Sequence, residues 1–316
     1  MIAYAPDAAV RVTDDGLGRT WRSTAPIDVW RTLSTLRRGP ADPAFRGRGA
    51  EIWRATRPPS GPATLHLRQL DAHVVEAAAW GPGAAEVLDE LPACLGGDQP
   101  HRPPLAHPVV ADAHRRHPGL RVPRTRRVVE ALVPAIIEQK VLGADAFLSW
   151  RQLLTRHGEV PPGPAPSGMR LPLTAEAWAA LPSWEWHRAG VDPKRYRTVQ
   201  AVTRLGESLE RLADREPTDA SAALRSLPGV GVWTAAEVGS RAFGDTDAVP
   251  FGDYHLASTV GTALLGHRLE HDHEVAEVLE PFRPHRFLAL RLMQLSPHVR
   301  VERHGARMSR VDHRAR

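Results

Sequence analysis

The chain has 316 residues, enough for one large composite core or for more than one domain. Lysine and arginine total 41 against 36 acidic residues, giving a net charge of +5 and a pI near 10.1, which suits a polyanionic partner. Arginine heavily outnumbers lysine, which favours guanidinium contacts to phosphate, although an arginine-rich background composition gives the same charge. The single cysteine, Cys94, excludes an internal disulfide framework and a four-cysteine iron–sulfur cluster, and is expected to be a small buried apolar residue.

In chain order, Met1–Asp7 has neither a basic start nor an apolar core, so no signal peptide is expected. No apolar run approaches membrane-spanning length, and a cytoplasmic protein without membrane contacts is expected. Residues 1–97 carry strand-like segments at Glu51–Thr56, Ala63–Leu70 and His73–Trp80, with helix-like stretches at Ile27–Leu36 and Ala84–Leu91. An α+β N-terminal domain follows from that mixture. Residues 98–122 form a linker and lead-in segment, introduced by the Gly96-Gly97-Asp98-Gln99-Pro100 run. From 123 to 298 strand signals largely vanish and helical periodicity dominates, giving a mostly α-helical body.

Within that body Gly158–Pro172 holds too many Pro and Gly for regular structure and is expected to be a mobile surface loop. Trp178, Trp184 and Trp186 around Pro182 are expected in core and loop packing. Lys194, Arg195 and Tyr196 are open to two readings, an approach to a nucleic acid or a solvated basic face. His267 and His271 have the i, i+4 spacing of a metal pair, but without Cys or HExxH context a solvated polar stretch is expected. Residues 299–316 form a basic, poorly periodic tail, expected to fray.

The most informative segment runs from Leu224 to Tyr254 and holds two devices in a fixed order. Leu227-Pro228-Gly229-Val230-Gly231 is a glycine-bracketed turn in which both glycines can take positive φ and let another backbone approach. The run Val232–Phe243 after it has the spacing of a helix buried on one side, so free N–H groups face the turn and form a ready anion site. About two dozen residues on, Val249-Pro250-Phe251-Gly252 leads into Asp253, which is expected to N-cap the next helix. A cap and a catalyst are compatible, because capping fixes the carboxylate while leaving one oxygen free. Taken alone, each device is an ordinary structural element. Their order and spacing are not ordinary.

Residues 224–256 resemble the helix-hairpin-helix plus Gly/Pro…Asp pattern of the HhH-GPD superfamily of DNA glycosylases, most closely the monofunctional AlkA type, with Pro250, Gly252 and Asp253 in the loop positions. Val129–Gln139 resembles the first core helix of that superfamily, Pro118-Gly119-Leu120-Arg121 the segment before it, and Lys194-Arg195 and Pro281-Phe282-Arg283 weaker landmarks. The resemblance spans 107–295, and Asp28-Val29-Trp30 falls where the small N-terminal domain of such enzymes begins its first helix. It implies a base-excision-repair enzyme that flips a damaged, chiefly alkylated, purine out of double-stranded DNA and hydrolyses its glycosidic bond.

On that resemblance Asp253 is the catalytic carboxylate, Trp233 and Tyr254 line the base pocket, and Gly229, Gly231, Val232, Thr234, Gln139 and Lys140 contact DNA. The backbone carbonyls of Arg225, Leu227 and Val230 would hold a monovalent cation, Na⁺ or K⁺, with no cofactor needed for catalysis. Bifunctional members carry a nucleophilic lysine where this chain has Trp233, so a monofunctional, monomeric hydrolase is implied. Lys140 stands where an apolar wedge is usual, which leaves two readings open: Val141 or Leu142 fills that place, or Lys140 pairs with phosphate instead. Arg291 stands near the position of a stacking aromatic, leaving Phe282, Phe287 or His285 as substitutes. A non-catalytic helix-hairpin-helix DNA-binding or damage-sensing protein is the alternative.

Overall fold

A computed structural model describes residues 10–13, 16–98 and 105–299. Met1–Asp7 and the tail beyond Val299, on which expectations were placed, lie outside the described residues. Near the N-terminus, strands β1 (Arg11–Thr13), β2 (Gly16–Arg22), β3 (Phe45–Arg48), β4 (Glu51–Thr56), β5 (Ala63–Gln69) and β6 (Val74–Trp80) form one antiparallel sheet in the order β1-β2-β6-β5-β4-β3. Alternation sets its faces. Leu65, Leu67, Val75, Ala77 and Ala79 point into a core shared with the helices Val29–Leu33, Ala84–Asp89 and Leu91–Cys94. Cys94 is buried there as expected, and burial pushes its thiol pKa up.

The central helix Val128–Ile137 is apolar at every position but Glu130, and its nine apolar residues are buried, the pattern of a helix enclosed by others. Its N-terminal amides find a partner from elsewhere in the fold, since the Glu210 carboxylate accepts from Val128 N at 2.8 Å and Val129 N at 3.0 Å. Around it pack Gly143–His157, Ala175–Ala180, Pro193–Thr203, Pro217–Arg225 and Val232–Val238. Trp150, Trp178, Trp186 and Tyr196 run through this core with successive ring centroids 5.9, 5.4 and 6.2 Å apart. Trp184, expected to pack, is instead 66% exposed. A further cluster joins Leu256–Leu265, Asp272–Leu279 and Arg286–Leu295 to Pro108–Arg116, a helix that the polar lead-in segment does not announce.

The sheet meets the helical body through a charged cluster and a small apolar one. Glu130 on the central helix accepts from Arg54 Nη2 at 2.8 Å, Thr56 Oγ1 at 2.8 Å and Arg57 N at 2.6 Å. Gly158–Pro172 contains no helix or strand, yet it is a packed strap rather than a free loop. Thr64 Oγ1 donates to Pro162 O at 2.5 Å, Arg170 N to Pro43 O at 2.8 Å, and Met169 and Leu171 are each 1% exposed beside Ala55. Its prolines suit a strap whose bonds go mainly to other parts of the fold.

The histidine pair is likewise structural. His271 precedes helix Asp272–Leu279 in a capping box with Glu274, whose carboxylate accepts from His271 N at 2.8 Å. Among the described residues there is no group of three or more His, Cys, Asp or Glu arranged to hold a metal, and no helix is long and apolar enough to cross a membrane.

Candidate active site

Two helices, Pro217–Arg225 and Val232–Val238, flank the glycine turn. Gly229 takes φ +86°, and a Cβ there would lie 2.7 Å from both Cγ2 and Oγ1 of Thr198, so glycine is required twice over. Gly231, expected to share the left-handed conformation, instead takes φ −96° and ψ −175°, the extended backbone of an N-cap. A Cβ at Gly231 would meet nothing within 4 Å. Nothing in the chain itself demands glycine at this position.

Leu227 O accepts from Val230 N at 3.0 Å, which closes the turn and leaves that carbonyl one lone pair. Gly229, Gly231 and Val232 are exposed, with the first amides of helix Val232–Val238 beside them. The helix is shorter than the spacing implied: after Val238 the chain widens into a π turn over Gly239–Phe243, closed by Gly244 at φ 69°.

Gln139 and Thr234 serve the turn from inside. The Gln139 amide Nε2 donates to Gly229 O and to Thr234 Oγ1, both at 2.9 Å, and Thr234 is 2% exposed. The end of the first core helix is thereby stapled to the turn. Lys140 follows in the open, at φ 55°, an unusual backbone for a residue with a side chain. Val141 is half-buried against the central core.

Asp253 arrives from the other side, and the loop carrying it is tied down at its base. Asp247 receives Arg286 in a fork, Nε at 2.9 Å and Nη2 at 2.7 Å, and Phe287 N donates to Thr246 O at 2.9 Å. Tight turns follow, Phe251 N to Val249 O at 2.9 Å and Asp253 N to Pro250 O at 3.0 Å, with Gly252 at φ +90°. The regular helix starts only at Leu256, so Asp253 is not its N-cap. Its Oδ1 instead accepts from His255 N at 2.8 Å in an Asx turn, a local bond that short acidic side chains favour ahead of a helix.

Trp233 Nε1 donates to Asp253 Oδ2 at 3.4 Å, so the two residues singled out on either side of the loop meet. Each carboxylate oxygen thus has one donor and keeps a lone pair for a substrate or water, and Asp253 itself is half-buried. Tyr254 is 66% exposed, its ring edge-on to His255 at 5.0 Å.

Sequence reasoning missed a charged network beside this pair. Glu237 lies one helical turn after Trp233, pairs with Arg241 at 2.8 Å and stands 4.0 Å from Arg38, which in turn pairs with Glu138 at 2.9 Å. Arg241 Nε also reaches Thr35 O at 2.9 Å, joining the N-terminal region to the hairpin helix. Burial raises the Glu138 pKa. A glutamate and an arginine at i, i+4 on a mainly apolar helix were the available signal.

Arg291 faces the same network. Burial, followed by the Arg241 charge, pushes its pKa down to about 10. Of its suggested aromatic substitutes, Phe282 and Phe287 are 2% and 6% exposed within the C-terminal core, and His285 Nδ1 is bonded with Thr246 Oγ1 at 2.9 Å. Lys194 and Arg195 separate: Lys194 is exposed, whereas Arg195 is buried and donates to Asp192, Ile137 O and Gly190 O.

An N-terminal antiparallel sheet and a mostly helical body wrapped round one central helix make up a fold found in DNA glycosylases of known structure. It is shared with a 3-methyladenine DNA glycosylase from Archaeoglobus fulgidus, with a TM-score of 0.73 at 17% identity over 87% of this chain and 97% of that one. It is also shared with the 8-oxoguanine glycosylase/lyase of Clostridium acetobutylicum, with a TM-score of 0.69 at 10% identity over 92% of this chain and 100% of that one. In sequence, 141 residues are 32% identical to a Mycobacterium tuberculosis protein described as a probable bifunctional transcriptional activator/DNA repair enzyme AlkA. That match covers 44% of this chain and only 28% of the relative's length. No family model matches the chain. The resemblance to AlkA-type HhH-GPD glycosylases is borne out.

Proposed function

We propose that this chain is a monofunctional DNA glycosylase that hydrolyses the bond between a flipped-out damaged purine, chiefly an alkylated one, and its deoxyribose. The observation that carries this reading is the Trp233–Asp253 contact, which holds a carboxylate at 3.4 Å from an indole N–H in the loop opposite an exposed glycine turn. The turn amides around Gly231 and Val232 receive a backbone phosphate, where the helix N-terminus favours negative charge. Double-stranded DNA is then the partner, and extrusion of the nucleotide brings its C1′ towards Asp253.

As the C1′–N bond breaks, its electron pair leaves with the base and positive charge develops on the sugar. The Asp253 carboxylate stabilises that charge, and its free lone pair orients a water whose oxygen adds to C1′. The water proton passes to the carboxylate or to solvent, leaving an abasic site and a free base. An alkylated purine already carries positive charge, so its bond needs less help. The Asx bond from His255 N and the Trp233 donor keep the carboxylate aimed.

Trp233 offers no amine, so no Schiff base forms at that position. The fold itself does not choose between hydrolysis and lyase chemistry, since one of the similar structures is described as a glycosylase/lyase. The hydrolytic assignment rests on the side chain at 233. The carbonyls of Arg225, Leu227 and Val230 suit a weakly held Na⁺ or K⁺, being neutral oxygen donors on one turn, and Leu227 O keeps a lone pair for it. Such an ion would add positive charge beside the phosphate.

The test incubates methylated duplex DNA with the wild-type chain and with Asp253→Asn, then cleaves abasic sites with alkali. Wild type is expected to generate abasic sites, and Asp253→Asn to lower the single-turnover rate by about 10²- to 10³-fold, the range for loss of one preorganised electrostatic group. Equal rates in the two proteins refute the assignment of Asp253. Borohydride treatment of the wild-type reaction is expected to trap no covalent protein–DNA adduct, and an adduct refutes the monofunctional reading.

A further inference from the structure

The glycine turn does not stand alone on its surface. Gly229 is pressed against Thr198 of helix Pro193–Thr203, since a Cβ at Gly229 would fall 2.7 Å from the threonine side chain. Thr198 Oγ1 donates to Lys194 O at 2.9 Å, so Lys194 lies one helical turn away on the same face as the residue touching the turn. Arg197 is exposed beside them, its guanidinium 5.9 Å from the centre of the Tyr196 ring. Among the described residues no acidic side chain pairs with Lys194 or Arg197. The adjacent acid, Asp192, is held by Arg195 Nε at 2.6 Å and by the amides of Lys194 and Arg195. The first amides of this helix are therefore already occupied. What it offers outward is its cationic side chains.

A second observation concerns composition. Lys140 and Lys194 are the only lysines in the chain, every other fixed cationic side chain being arginine. Both flank the same turn. Lys140 follows Gln139, whose amide is bonded to Gly229 O, and Lys194 precedes by one turn the threonine packed on Gly229. Lysine presents a compact, mobile point charge, suited to a phosphate whose position is fixed by other contacts.

We infer that Lys194 and Arg197 form a second backbone clamp, holding a phosphate of the DNA strand next to the one seated at the turn. The inference rests on the reading of that turn as a DNA-binding element. It adds a contact surface from helix Pro193–Thr203, separate from the segment that carries Lys140. The clamp is electrostatic and independent of base sequence, because phosphate contacts position the duplex without reading it.

The experiment measures binding of the full chain to a fluorescent duplex carrying a tetrahydrofuran abasic analogue, across a series of KCl concentrations. With about 0.9 counterions released per phosphate contact, loss of two contacts in Lys194→Gln/Arg197→Gln is expected to lower the slope of log K against log[KCl] by about 1.8 in magnitude. The same relation makes the affinity loss about 60-fold at 0.1 M salt. Lys194→Arg is expected to keep the slope, and Arg204→Gln, at the opposite end of the helix, to leave slope and affinity at wild-type values. An unchanged thermal midpoint in the double variant excludes unfolding as the cause of a loss. A wild type that binds with a double variant of unchanged slope overturns the clamp alone. A wild type that binds no duplex at any salt concentration overturns the reading of the turn on which the clamp depends.

Discussion

The two glycines of the turn give opposite predictions for one and the same substitution, alanine. At Gly229 the backbone sits at φ +86° and the new methyl would be 2.7 Å from two atoms of Thr198. A left-handed residue with a Cβ costs about 1–2 kcal/mol, and forcing a methyl into filled space costs about 1–3 kcal/mol. Thr198 yields only by losing its bond to Lys194 O at 2.9 Å, so both costs apply. Gly229→Ala is therefore expected to lower unfolding free energy by about 2–5 kcal/mol.

At Gly231 the backbone is extended and the methyl would meet open space. Reduced unfolded-state entropy favours alanine, and its poorer N-capping opposes it, so the net change is expected within about 0.5 kcal/mol. Its methyl projects from the exposed surface assigned to a phosphate, so Gly231→Ala is expected to weaken duplex binding about 10-fold or more, worth about 1.4 kcal/mol. Urea unfolding at constant m-value gives the stabilities and anisotropy titration the affinities. A Gly229→Ala loss below about 1 kcal/mol, or equal destabilisation by the two variants, refutes the division into a glycine required by the fold and one required by a ligand.

Two further predictions concern stability. Arg195 is 4% exposed and donates to a carboxylate and two carbonyls, so Arg195→Met is expected to cost about 3 kcal/mol in urea unfolding, the lower end for a broken buried pair because Asp192 is partly exposed. A loss below about 1 kcal/mol contradicts its placement as the tie between helix Pro193–Thr203 and the central helix. For Asp245, burial and then the Asp247 charge raise the pKa above 3.8. The folded state therefore holds a proton that the unfolded state has lost, and stability falls as pH rises from about 4 through the raised pKa. Asp245→Asn is expected to flatten that fall in urea unfolding at a series of pH values, and to gain stability relative to wild type above it. An unchanged pH slope contradicts the role given to burial at this site.

The sequence alone carried a good part of this protein. Periodicity and spacing located β4 at its observed bounds and β5 and β6 to within a residue, while the central helix was placed, as Val129–Gln139, by its resemblance to the first core helix of the glycosylase superfamily. The turn and the loop bearing Asp253 were legible because glycine, proline and a lone carboxylate stand there in a fixed local order, and Trp233 was singled out through the family resemblance. Strands β1 to β3 escaped notice, because β1 and β3 are only three and four residues long and the glycines and arginines of β2 blur its alternation.

Other features were decided only by tertiary structure. Proline and glycine content made Gly158–Pro172 look free, but its bonds to Thr64 and Pro43 lie about a hundred residues away in sequence, where no local pattern registers them. Composition gave both glycines of the turn the same licence; contact with Thr198 separated them. Asp253 had the local chemistry of a cap, and the turn at Tyr254-His255 moved the helix start beyond it. Local sequence fixes what a segment is able to do. Which partner it meets is settled by packing, as when Trp233 Nε1 comes within 3.4 Å of Asp253 across twenty residues of chain.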